Sequence, residues 1–130
     1  MVRNMDLIRE LLLRLESLPI TKGSIYLLKS GDEEIQIDGY NDDQIDYHLS
    51  LIGEAGLIDR GKSSAVMNGI MFSRLSWAGH DFLDSIRDPE VWAKTKRGAE
   101  AAGGFTVDLL KDLAKGFLRK QIEDYTGVKL

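Results

Sequence analysis

Capping residues and helix breakers partition this chain before any other signal is needed. Asn4 precedes Met5, Ile8, Leu11, Leu12 and Leu15, apolar residues recurring every three or four positions, and Pro19 stands just beyond them; a helix is expected over residues 5–17. Asn41 or Asp42 caps a second helix running to Ala55, with Gly56 placed to end it in a left-handed conformation. Ser76 opens a third helix that runs to Ile86. Asp88-Pro89 opens a fourth, with proline at the first helical position where its missing N–H costs nothing, and Gly103-Gly104 stops it. Thr106 opens a fifth that reaches Tyr125, with Gly127 behind it and Phe105 placed to pack on Leu110 as a hydrophobic staple.

Strand signals fall between the first and third helices. SIYLLK and EEIQID flank Ser30-Gly31-Asp32, a turn-forming centre between β-favouring runs, so a hairpin is expected there. Leu57 and Ile58 begin another strand, and MFSRL (71–75) is expected to return beside it across a turn at Asn68-Gly69, making a wing. At 130 residues one compact domain is the default: a core over residues 1–88 and a helical C-terminal extension over residues 89–130 of the same domain.

The sequence contains no cysteine, which removes disulfides, thiolate chemistry and the usual zinc clusters. Asp6, Arg9, Glu10 and Arg14 interrupt the leucines of the first helix, so it is neither a signal peptide nor a membrane span, and a cytoplasmic location is expected. The formal net charge of −4 supplies no general attraction to phosphate.

Three segments, MDLIRELL (5–12), YHLSLIGEAGLI (47–58) and LSWAGHDFLDSIRDPEVWAKTK (75–96), resemble a bacterial and prophage family known as domain of unknown function 2513, over about residues 1–120. The resemblance implies an α+β, winged-helix-like fold with a β-hairpin wing, often carried on mobile elements, and brings no activity or catalytic residues with it. Such folds usually place two helices between the first helix and the wing, whereas residues 20–40 here look like strands, so the supporting helix is expected to be missing or reduced.

If the fold binds DNA through its second helix, the outward face of residues 42–55 must suit phosphate. On a helical wheel Ile45, His48, Leu49, Leu51, Ile52 and Ala55 share the face that goes to the core, while Asp43, Asp46, Ser50 and Glu54 face outward, with no Lys or Arg between residues 41 and 59. Carboxylates there are repelled by phosphate rows, and no cation releases condensed counterions. The basic residues lie elsewhere: residues 66–130 hold ten Lys and Arg against nine Asp and Glu, residues 1–65 seven against twelve. Lys94, Lys96 and Arg97 are the nucleic-acid candidates; Lys111, Lys115, Arg119 and Lys120 are interspersed with acids.

No recognised phosphate loop or metal-ligand spacing is present, so no cofactor or metal is expected, although carboxylates scattered in sequence remain open as ligands. His48 lies on an apolar helix face, where a packed, hydrogen-bonded imidazole is the commoner role. His80 is better placed to pair with Asp84, one turn on, than with the adjacent Asp81. Trp77, Phe82 and Trp92 are assigned to packing. Met67 and Met71 flank the wing turn and, with Asp43, Asp46, Ser50 and Glu54, make up the expected partner-binding set. Leu110, Leu113, Phe117 and Ile122 form a stripe on a long fifth helix that suits a homodimer. The expectation is a non-catalytic, phage-type factor that binds a host or defence protein, with a DNA-binding transcription regulator as the alternative and an enzyme third.

Overall fold

The computed structural model describes residues 1–61, 69–104 and 106–130. The protein is an α+β chain, mostly helical, with five helices and two small antiparallel sheets among the described residues. In order these are α1 (Met5–Ser17), β1 (Tyr26–Leu28), a 3-10 turn (Glu33–Ile35), α2 (Asp42–Glu54), β2 (Ile58–Asp59), β3 (Ile70–Phe72), β4 (Arg74–Leu75), α3 (Trp77–Ile86), α4 (Pro89–Ala102) and α5 (Val107–Thr126). They form two compact units, Met1–His80 and Asp81–Leu130.

Each helix starts where its cap predicts. Asn4 Oδ1 accepts from Leu7 N, and Asn41 makes a reciprocal capping box with Gln44. Ser76 Oγ accepts from Gly79 N, Asp88 from Glu90 and Val91 N, and Thr106 from Leu109 N. Gly56, Gly103 and Gly127 all take the positive φ that ends a helix. Phe105, the expected staple, lies outside the described residues.

In the first unit Leu7, Leu11, Leu12 and Leu15 of α1 are fully buried, as are Ile45, Leu49 and Ile52 of α2, and the two helices pack on each other. Fully burying one such side chain stabilises the fold by roughly 1.5–3 kcal/mol, so this apolar seam, not helix propensity, holds α2 in place.

The strands depart from expectation. EEIQID does not return as a strand against SIYLLK: Asp32 Oδ2 accepts from Lys29 N, turning the chain into the 3-10 turn, while Ile35 and Ile37 are buried. The partner of β1 is β3, paired antiparallel as Tyr26↔Phe72, Leu27↔Met71 and Leu28↔Ile70. The strand at Ile58 does meet the end of MFSRL, as Ile58↔Leu75 and Asp59↔Arg74, but residues 60–73 separate the two, not a two-residue turn. Asn68 lies outside the described residues. Gly69 has φ +82°, and a Cβ there would stand 2.0 Å from the Leu28 carbonyl oxygen, so the close approach of the two backbones requires glycine.

Candidate functional site

The most distinctive surface of the first unit is the outward side of α2. Buried Ile45, His48, Leu49 and Ile52 fix which side that is. Asp43, Tyr47, Ser50 and Glu54 follow one another at three- or four-residue spacing and are all exposed; Asp46, half-buried, lies beside them. Asp46 Oδ1 is buried without a hydrogen-bond partner among the described residues. Tyr47 is 39% exposed and meets the His48 ring edge-on at 5.6 Å. Across the C-terminal end of the helix lies Arg60: a Cβ on Gly53 would stand 3.3 Å from both its Cδ and its Nη1.

His48 anchors this helix from beneath. It is 1% exposed. Asn4 N donates to His48 Nε2 at 2.8 Å, and Nδ1 lies 2.7 Å from the Gln44 carbonyl oxygen. An acceptor at Nε2 and a carbonyl at Nδ1 require the neutral tautomer protonated on Nδ1. The imidazole therefore ties the start of α1 to the first turns of α2.

The other expected site residues do not join this face. Met71 is half-buried and stands opposite Leu27 on the outward side of the β1–β3 ribbon, while Ile70 and Phe72 turn inward. Met67 lies outside the described residues. Lys94 and Arg97 are exposed one turn apart on α4, but Lys96 lies over the Trp92 ring, 5.8 Å from its centroid. On α5, Leu110 is fully buried, Leu113 is half-buried and lies near Gly98 of α4, Phe117 is half-buried and Ile122 is 48% exposed.

Two expectations are corrected. His80 does not pair with Asp84, which accepts instead from Arg87 at 2.7 Å; the carboxylate facing His80 Nδ1 is Glu16, at 3.9 Å. Phe82 and Trp92 are buried as expected, but Trp77 is 84% exposed. Among the described residues no group of three or more His, Cys, Asp or Glu side chains is placed to hold a metal ion, and no helix is long and apolar enough to cross a membrane.

Residues 2–105 match a family described as "Hypothetical protein (DUF2513)". The chain belongs to this family. It is also 33% identical, over 124 residues, to an "Uncharacterized protein" of Haemophilus influenzae, an alignment covering 94% of this chain and 99% of that relative. No solved structure matches.

Sequence reasoning found the four polar members of the α2 face and missed Tyr47, although its spacing from Asp43, Ser50 and Glu54 was available. It also missed Trp77. The buried positions Gly79, Phe82, Leu83 and Ile86 define the inner side of α3, and Trp77 stands about 160° around the wheel from Gly79.

Proposed function

We propose that this protein is a non-catalytic, cytoplasmic protein-binding factor of phage type, an accessory factor or inhibitor acting on a host or defence protein. The observation that carries the reading is an exposed tyrosine set within an acidic stripe on a rigidly held helix. Tyrosine supplies a large, rigid contact at low entropic cost and is enriched among the residues that dominate binding energy. The surrounding carboxylates select a partner with Lys or Arg around the tyrosine pocket and speed its encounter.

A second reading, a winged-helix DNA-binding regulator, is favoured by topology. Its support is the element order helix, strand, 3-10 turn, helix and strand, followed by β3, which pairs with β1, and β4, which pairs with β2. On this reading the 3-10 turn would take the place of the supporting helix and α2 that of the reading helix. The acidic stripe makes that helix a poor match for phosphate.

The test compares wild type with Tyr47→Ala and with Asp43→Ala/Asp46→Ala/Glu54→Ala. Both variants are expected to remain folded: Tyr47, Asp43 and Glu54 are exposed, where substitutions usually shift stability by under about 0.5 kcal/mol, and Asp46→Ala removes a buried oxygen that has no hydrogen-bond donor among the described residues. Each is expected to lose, by roughly tenfold or more, the partner that wild type retains from a host lysate, a loss of about 1.4 kcal/mol or more. Full retention by both variants overturns the assignment of this face. Duplex binding at nanomolar protein that weakens steeply with salt replaces the first reading with the second.

A further inference from the structure

A second surface lies away from the helix face. A hollow of about 400 Å³ in the first unit is lined by Leu18, Pro19, Tyr26, Leu27, Leu28, Asp32 and Glu34. Successive side chains of a strand point to opposite faces, yet three consecutive residues of β1 line this one hollow. It therefore runs along the edge of β1, and β1 pairs only with β3 among the described residues. An unpaired strand edge presents N–H and C=O groups in a row, a template for another strand. The end of α1 forms one wall, and Tyr26 Oη donates to the Pro19 carbonyl oxygen at 3.4 Å. On the outward side Ile25 and Leu27, each 45% exposed, extend an apolar surface toward Met71. The charged residues lining the hollow, Asp32 and Glu34, are both acidic.

We propose that the free edge of β1 takes up an extended peptide segment of alternating apolar and basic residues. Main-chain hydrogen bonds to β1 hold it, its apolar side chains lie beside Ile25 and Leu27, and its Lys or Arg side chains meet Asp32 and Glu34. This is strand addition, in which the backbone provides affinity and alternate side chains provide selectivity. It is independent of the α2 face.

The probe is an end-blocked peptide of alternating Lys and Val, titrated into the full chain labelled with nitrogen-15. Amide shifts are expected to move at residues 25–28 and 32–34. The peptide with Glu in place of Lys, and the Lys-Val peptide N-methylated along one edge, are expected to leave those amides unmoved. Asp32→Asn/Glu34→Gln, in which Asn keeps an acceptor for Lys29 N, is expected to weaken the Lys-Val peptide by roughly three- to tenfold, as loss of two exposed charge pairs allows. Tyr47→Ala is expected to bind the peptide unchanged, so failure here leaves the α2 reading standing. Unmoved amides at residues 25–28, equal binding of the Glu or N-methylated peptide, or shifts at β1 that depend on protein concentration without peptide each overturn the proposal, the last by assigning the edge to a second copy.

Discussion

His48 shows how one buried polar side chain can decide the placement of a surface that it does not belong to. Its Nε2 satisfies the backbone N–H of Asn4, whose own side chain caps α1, so one imidazole joins the beginnings of two helices. His48→Leu conserves much of the volume and removes the acceptor, leaving Asn4 N unpaired; an unfolding free energy lower by about 1–3 kcal/mol is expected, read as a lower urea midpoint. His48→Gln, which still presents an acceptor, is expected to lose less. Partner retention by the folded variants is expected to follow stability alone. A His48→Gln chain of wild-type stability that no longer binds shows that the imidazole itself meets the partner.

Helices were legible in the sequence because their signals are local; strands were legible only in part, SIYLLK and the meeting of Ile58 with MFSRL among them, because pairing is distant. Asn4, Asn41, Ser76, Asp88 and Thr106 each cap within three residues of where they stand, whereas Tyr26 pairs with Phe72. Ser30-Gly31-Asp32 does turn the chain, but Ile35 and Ile37 are drawn into the core, and that burial prevails over local strand preference. The candidate face was legible in its charges and not in its aromatic member. Two glycines test the packing that the sequence concealed. A Cβ on Gly79 would stand 1.9 Å from the Leu57 carbonyl oxygen, where α3 begins against the entry to β2. Gly116 has open space around it in the middle of α5. Gly79→Ala is expected to destabilise by about 1–3 kcal/mol through overpacking against backbone, and Gly116→Ala to stabilise by about 1 kcal/mol through helix propensity alone. Thermal unfolding of the two variants distinguishes these opposite signs, and a stabilised Gly79→Ala refutes the close approach.

Assembly of the whole molecule turns on the unequal lengths of α4 and α5. These helices have 14 and 20 residues and pack on each other across a short connection. At a rise of 1.5 Å per residue they span about 21 and 30 Å, so α5 outruns its neighbour by about 9 Å. Beyond buried Ala114 the apolar side of α5 becomes progressively bare: Phe117 is half-buried, Ile122 is 48% exposed and Tyr125 92% exposed, and Val128 and Leu130 follow at 58% and 61%. Lys115, Arg119 and Lys120 precede Glu123 and Asp124 on the same helix, so an antiparallel pair of α5 helices sets basic segments opposite acidic ones. We propose a homodimer through this end of α5. The few side chains involved fall short of the ~800 Å² per partner of a standard interface, so the dimer is expected to dissociate on dilution. Sedimentation velocity over a concentration series is expected to show monomer and dimer exchanging for wild type, and monomer alone for Ile122→Asp/Tyr125→Asp, with helix content unchanged because both side chains are exposed in the monomer. A wild type that stays monomeric at the highest concentration, or a double variant that still dimerises, removes α5 from the assembly.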